Sequence, residues 1–503
     1  MRAASASGIV ASMRETAGGL KLSTRHQNMN DCCAIGMSGK NFDLAVIGAG
    51  SAGFSAAIAA AEQGAQVALI GHGTIGGTCV NIGCVPSKTL IRAAETRHQA
   101  SAAARFAGIR AKGQVDDWTA TVRQKDELVS SLRQSKYADL LPAYNNISYV
   151  EGQARLTDGG VAINGDLLKA KRLVITTGAR PAVPSIPGLA TVDCLTSTTA
   201  LSLETLPKSL LVIGGGYIGA ELAQMFGRMG VTVTIVCRSH LLPAAESEIS
   251  KALSGYLRDE GIRLECGVTY KQARQTDAGV VLVVTREGND ETLTAERILV
   301  AAGRVPNVEG LGLKEAKIAQ AENGSIQVDD RMQTNCPGVY AAGDVTGQDQ
   351  FVYMAAYGAK LAARNALNGN CLRYDNTAMP MVVFTDPQVA SVGMTERTAR
   401  AAGHDVRVSV LPLDAVPRAL AARDTRGLIK LVVDKKSRKL LGAHILAPEG
   451  SDSIQTAALA IRQGLTAGDL AETIFPYLTT VEGLKLAALG FEKDVAKLSC
   501  CAG

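Results

Sequence analysis

Two stretches of the chain repeat one local order: an apolar strand, a Gly-x-Gly-x-x-Gly turn, a helix and a second strand. The first runs through Asp43–Ile47, Gly48-x-Gly50-x-x-Gly53, an Ala-rich helix to about Gln63 and the strand Gln66–Ile70. The second runs through Ser209–Ile213, Gly214-x-Gly216-x-x-Gly219, a helix to about Met229 and the strand Val231–Val236. One such motif is weak, but two in full strand–turn–helix–strand context define two Rossmann-like dinucleotide-binding units. The glycines allow a tight turn and let the backbone approach a pyrophosphate at the helix N-terminus. Gly48, Gly50 and Gly53, and again Gly214, Gly216 and Gly219, are therefore expected to hold nucleotides.

The 503 residues suit about three domains. Strand patterns such as Val280–Thr285 and Arg297–Val300 lie between and after the nucleotide units. From Asp375 onward the texture changes. Pro380, Pro387, Pro412 and Pro417 punctuate strands such as Leu428–Val433, and a helix follows over Ser453–Gln463. The expected fold is α/β, with two Rossmann-like domains and a C-terminal α+β domain.

A net charge of +5 with 4% aromatic residues gives no footprint for nucleic acid. No apolar run reaches the roughly 18 residues of a membrane span. Eleven cysteines are too few for a disulfide scaffold of this size. With no secretory signal in the basic, Ser/Ala-rich start, they suggest a reducing cytoplasm. Residues 1–40 are expected to be a flexible leader, with Met37 an alternative start and the Cys32–Cys33 pair incidental.

The densest chemistry lies in Gly76-Gly77-Thr78-Cys79-Val-Asn-Ile-Gly83-Cys84-Val-Pro86-Ser-Lys88. Five positions on a regular helix separate two side chains by about 140°, so bringing Cys79 to Cys84 needs a distorted turn. Gly83 and Pro86 make that distortion available. A dithiol at a helix start beside a lysine is the setting for a low-pKa, redox-active thiolate.

These residues resemble the FAD-dependent pyridine nucleotide–disulfide oxidoreductase family. So do Thr176-Thr-Gly178-Ala-Arg-Pro181, Ala301-Ala-Gly303-Arg-Val-Pro-Asn307, Val339-Tyr-Ala-Ala-Gly-Asp344 and Phe384-Thr-Asp-Pro387. The resemblance covers about Phe42 to Gly503. It implies a discontinuous FAD domain (41–180 and 304–374), an NADPH domain (181–303) and a dimerisation domain (375–503). It implies FAD contacts from Gly77, Thr78, Lys88, Gly178 and Asp344, and an NADPH contact from Gly303. Cys84 would be the thiolate against the flavin, Cys79 the exchanging thiol, and Glu221 the partner of Lys88.

Two positions bear on cofactor detail. The second unit ends Val236-Cys237-Arg238 with no carboxylate, so Arg238 is expected to meet the 2′-phosphate of NADPH. The first unit reads Ile70-Gly71-His72 where a ribose-binding Glu is expected, leaving His72 as a substitute.

The end of the chain narrows the substrate. Adjacent Cys500 and Cys501 have Cα atoms about 3.8 Å apart, below the roughly 4.4–6.8 Å of an ordinary disulfide. Two such thiolates suit a soft, thiophilic ion better. Phe475-Pro476-Tyr477 stands where disulfide-cleaving relatives place a His-Pro, and phenylalanine cannot protonate a leaving thiolate. The endings FPYLTTVEGLKLA and KLSCCAG resemble the branch of the family whose members reduce Hg(II) to Hg(0). That resemblance implies a homodimer with a shared active site. By the same resemblance, Cys500 and Cys501 of one subunit would pass the ion to Cys79 and Cys84 of the other, beside Tyr137 and Tyr477. No amino-terminal heavy-metal-associated domain is expected. The competing readings are an NADPH-dependent reductase of an organic disulfide, to which Tyr217 is suited, and a flavoprotein that sequesters a soft metal without reducing it.

Overall fold

The structure, a computed structural model, describes residues 41–494 and 497. Cys32, Cys33, Cys500 and Cys501 lie outside the described residues.

The first glycine unit builds a five-stranded parallel sheet. Its order is Val339–Ala341, Ala170–Ile175, Phe42–Ile47, Val67–Gly71, Ile147–Glu151. The edge strand Val339–Ala341 comes from far along the chain, after the second unit has been completed. Strands covered on both faces carry unbroken apolar runs, and Leu44 to Ile47 and Val67 to Ile70 are almost fully buried. The helix Ser51–Ala61 packs on this sheet and against the helix Val352–Asn368. Its alanines 56, 57 and 60 allow the close approach.

The second unit repeats the plan: Arg263–Cys266, Thr232–Cys237, Ser209–Ile213, Arg297–Val300, Cys194–Thr196, all parallel. The antiparallel ribbon Thr269–Thr276, Gly279–Arg286, Asn289–Ala295 forms a separate three-stranded sheet, its buried face sharing one core with this unit. The expected strands and helices of both units are present, with ends displaced by one or two residues.

The third sheet is antiparallel: Pro380–Val383, Gln388–Gly393, Leu440–Ala447, Leu428–Asp434, Val406–Pro412. Its prolines fall where a missing N–H is tolerated. Pro380 opens a strand, Pro412 closes one, and Pro417 starts the helix Pro417–Ala422. The helices Gly450–Arg462 and Glu482–Leu489 pack against this sheet. Among the described residues no helix is long and apolar enough to cross a membrane.

Candidate active site

The segment carrying Cys79 and Cys84 folds as two helices rather than one. The helix Gly77–Ile82 stops at Gly83, whose backbone (φ −127°, ψ −110°) is not helical, and the helix Cys84–Ala102 starts at once. Pro86 lies in its first turn, where a missing N–H is harmless. The break removes the 140° offset, so the Cys79 thiol donates a hydrogen bond to the Cys84 sulfur. Both are free, half-buried thiols. That bond lowers the Cys84 thiol to about 7, with help from the Lys88 charge and the helix-terminal amide, against the opposing effect of burial. The same shared proton, with burial, pushes Cys79 upward.

Asn81 clamps this turn, donating to the carbonyls of Ile75 (2.8 Å) and Gly77 (2.9 Å). Arg133 in turn donates to Asn81 Oδ1 at 3.2 Å. Lys88, one helical turn beyond Cys84, forms an ion pair with Glu221 at 2.7 Å and sits 4.9 Å from the Phe384 ring centre. Glu221 comes from the helix Tyr217–Arg228 of the second unit and is 6% exposed. Its other oxygen accepts the Phe384 N–H at 2.8 Å. One carboxylate thus joins both nucleotide units to the start of the third sheet.

These groups line a continuous cleft of about 1130 Å³. Gly48, Gly50, Gly77, Thr78, Cys79, Cys84, Lys88, Gly178, Gly216, Glu221, Gly303 and Asp344 all face it. Its volume exceeds the roughly 300–1,000 Å³ of a pocket for one drug-sized ligand. Gly53, Gly214 and Gly219 do not line it. They hold helix to strand: a Cβ on Gly53 would meet Gly48 O at 1.7 Å, and one on Gly219 would meet Gly214 O at 2.1 Å. Gly48 has φ +113° and would drive a Cβ to 2.4 Å from Thr176 O. A Cβ on Gly216 would meet nothing within 4 Å, leaving that backbone open to a ligand.

Asp344 opens a short 3₁₀ turn on the cleft wall, and burial raises its carboxyl against the pull of Arg304, 3.5 Å away. That contact is made by Arg304 Nε, while an outer nitrogen of the same guanidinium donates to the Ala179 carbonyl. The half-buried Asp344 carboxyl, with the Gly48, Gly50, Gly77 and Gly216 backbone on the same cleft, fits a hydroxylated, anionic nucleotide cofactor.

Position 71 has a steric explanation. A Cβ on Gly71 would meet Tyr149 Oη at 2.5 Å and Ala49 Cβ at 2.8 Å. Tyr149, from the neighbouring strand Ile147–Glu151, fills the space a larger side chain would take, and it lines the cleft together with His72. Sequence reasoning missed Tyr149, Asn81 and Arg304. It also missed Phe351 and Tyr353, which stack with ring centres 5.5 Å apart and continue to Tyr217 at 6.1 Å.

Tyr137 packs edge-on against Phe54 with centres 5.0 Å apart and shares a 2.9 Å hydrogen bond with Ser51. Burial raises its phenol, and the two thiols add to the rise, which places it near the pair although off the cleft lining. Arg238 is exposed at the end of Thr232–Cys237, outside the cleft lining. Tyr477 is 47% exposed beside Ile474 (94%) and Leu478 (44%), also off the cleft lining. Phe475 packs against the third-sheet core.

Comparison with known proteins agrees with this geometry. Residues 42–363 match the pyridine nucleotide-disulphide oxidoreductase family, and residues 379–488 match its dimerisation domain. The chain belongs to the pyridine nucleotide-disulphide oxidoreductase family, a family of FAD- and NADPH-dependent enzymes. A solved Escherichia coli relative is the HOCl-induced flavoprotein disulfide reductase RclA in its Cu(II) complex. It is 32% identical with a TM-score of 0.79 and matches over 89% of this chain and 99% of that one.

Within the family the chain stands with the mercuric reductases. It is 48% identical to that of Lysinibacillus sphaericus and 47% identical to that of Staphylococcus aureus, over 92% of this chain and 85% of each relative. It is 45% identical to that of Streptomyces lividans over 92% of this chain and 98% of the relative.

Proposed function

We infer that this chain reduces Hg(II) to Hg(0) with electrons from NADPH, a mercury-detoxifying activity. The observation that carries this is the Cys79–Cys84 dithiol on the cleft, served by Lys88 and Glu221, while the half-buried Phe475 packs against the third-sheet core. The site offers two sulfur ligands, and the residue in the acid–base position has no proton to give to a departing organic thiol. Bound FAD and NADPH supply the two-electron reduction.

The residues act in the following way. Cys84, ionised near neutrality, and Cys79 are the ligands for Hg(II), which favours two thiolates. As Cys79 releases its proton to bind the ion, the shared hydrogen bond is replaced by two metal–sulfur bonds. Lys88 keeps positive charge beside Cys84, and Glu221 holds Lys88 in place. Gly48, Gly50, Gly77, Thr78, Gly178 and Asp344 are assigned to FAD. Gly214, Gly216, Gly219, Gly303 and Arg238 are assigned to NADPH. Once reduced, the neutral atom has little affinity for sulfur and leaves.

Cys500 and Cys501, with Tyr477, are assigned to delivering the ion to the partner's dithiol in a homodimer, with Tyr137 beside the receiving pair. Domain limits of 41–180 with 304–374 for FAD, 181–303 for NADPH and 375–503 for dimerisation accompany this reading. A cytoplasmic location suits thiols that must stay reduced.

The test is anaerobic NADPH with thiol-bound Hg(II), scored for mercury vapour. Vapour from the native enzyme and none from Cys84→Ala is expected. NADPH oxidation with oxidised glutathione but none with Hg(II) would overturn the reading in favour of an organic-disulfide reductase. Binding of Hg(II) without NADPH oxidation would make the protein a metal sequestrant.

A further inference from the structure

The second nucleotide unit holds a thiol pair that the mechanism does not use. Cys237 ends the strand Thr232–Cys237, Cys266 ends its neighbour Arg263–Cys266, and the parallel register sets them side by side. Their sulfurs are 3.1 Å apart, and both are free thiols. Adjacent strands lie about 4.7–4.9 Å apart, inside the roughly 4.4–6.8 Å Cα separation of an ordinary disulfide. Cys237 is 4% exposed, whereas Cys266 is half-buried and reachable. The hydrogen bond from Cys237, aided by the Arg258 and Arg286 charges, lowers the Cys266 thiol to about 7 against burial. The outer sulfur is therefore the nucleophile and the inner one the resolving thiol.

The pair sits beneath the second glycine turn. A Cβ on Gly215 would meet Cys237 Cβ and Sγ at 3.1 Å each, so Cys237 already touches that turn. The next residue is Arg238. The surrounding backbone is tied together: Leu242 N–H donates to Gly215 O at 2.7 Å, and Gly267 N–H donates to Ser239 O at 2.8 Å. Drawing the sulfurs from 3.1 Å to the roughly 2.05 Å of a disulfide moves the support of both Gly215 and Arg238.

We propose that Cys237 and Cys266 are a modification site at which hydrogen peroxide forms a reversible disulfide that weakens NADPH binding. The gating rests on assigning the second glycine unit and Arg238 to NADPH. The chemistry proceeds in two displacements. The Cys266 thiolate attacks the peroxide O–O bond, giving a sulfenic acid and, with one proton, water. The Cys237 thiol then attacks that sulfur, forming the S–S bond and releasing a second water. The two sulfurs lose two electrons in all, and the peroxide gains them. A dithiol reductant restores the pair. Closure also removes the Cys266 negative charge near the cofactor phosphate, but that charge is half-exposed and screened, so displacement of Arg238 and the turn decides the sign.

The test treats holoenzyme with hydrogen peroxide, removes it, alkylates free thiols and maps peptides by mass spectrometry. A cross-link between Cys237 and Cys266 is expected, with KM for NADPH raised at least fivefold. The kcat at saturating NADPH should stay within twofold, and dithiothreitol should restore KM. Cys266→Ser should keep its KM through the same treatment. If that variant does not fold, the wild-type cross-link and its reversal carry the test. Alkylation of both cysteines after peroxide would overturn the proposal, as would a cross-link that leaves KM unchanged. A never-oxidised enzyme whose KM for NADPH ignores Arg238→Ala would instead overturn the underlying cofactor assignment.

Discussion

Lys88 and Glu221, 133 residues apart in the chain, meet at 2.7 Å where the helices Cys84–Ala102 and Tyr217–Arg228 pack together. The contact joins the dithiol helix of one nucleotide unit to the glycine-turn helix of the other. Lys88 is also the charged group that favours the Cys84 thiolate.

Removing the acid should show this double role. In Glu221→Ala, Lys88 loses its partner and the Phe384 N–H loses its acceptor. A buried donor left unsatisfied costs about 1–3 kcal/mol, so the midpoint of denaturant unfolding should fall accordingly. Glu221→Gln keeps the acceptor for Phe384 and should lose less stability while still lowering turnover. Equal stability losses in the two variants would show that the Phe384 bond is immaterial.

The dithiol has a definite pH signature. Its Cys84 thiol is lowered from 9.0 to about 7, so the thiolate is lost as pH falls through 7. Iodoacetamide alkylation of the pre-reduced enzyme should therefore accelerate with pH around a midpoint near 7. Taken alone, a folded-state Cys84 value below the unfolded one contributes stability above pH 9 that is lost as pH falls through 7, while the raised Cys79 thiol opposes it at high pH. In Lys88→Met the alkylation midpoint should rise. A midpoint near 9 in the native enzyme would contradict the shared hydrogen bond between the two thiols.

What could be read from residues alone follows the range of the interaction. Glycine turns, apolar strand runs and the proline changes near residue 380 are local signals, and the elements they mark are present within one to three residues. The Cys79–Cys84 offset called for a distorted turn, and Gly83 supplies it as a break between two helices. Partners brought in from afar left no such mark. Asn81 clamps the dithiol turn through carbonyls that any sequence supplies, and Arg304 reaches Asp344 across forty residues of chain. The roles proposed for Tyr477, Cys500 and Cys501 depend on a second subunit.

The role proposed for Arg238 is to separate two cofactors by charge. With no carboxylate at the end of Thr232–Cys237, an exposed guanidinium is the group available for a 2′-phosphate. Arg238→Ala should raise KM for NADPH about tenfold, equivalent to about 1.4 kcal/mol, and leave KM for NADH within twofold. Steady-state kinetics with both cofactors decides it, since equal effects on both would remove Arg238 from phosphate recognition.

Gly71 offers the sharpest steric test, because the residue expected there by resemblance is the one this fold rejects. Any Cβ at position 71 would stand 2.5 Å from Tyr149 Oη and 2.8 Å from Ala49 Cβ. Gly71 is also buried in the strand Val67–Gly71, so a carboxylate cannot simply turn to solvent. Gly71→Glu should thus overpack the site by about 1–3 kcal/mol and loosen FAD. Tyr149→Ala opens the space but removes a ring from the cleft wall, and should weaken FAD retention by itself. Combined, the two changes relieve the clash with Tyr149, leaving only that with Ala49, and place a carboxylate on the cleft side of this strand end. The double variant should then hold FAD better than Gly71→Glu alone, giving a favourable coupling between the sites. Flavin released on gel filtration, measured for all four proteins of the cycle, reads the coupling directly. Strictly additive losses would mean that Tyr149 does not occupy the place of the missing acid.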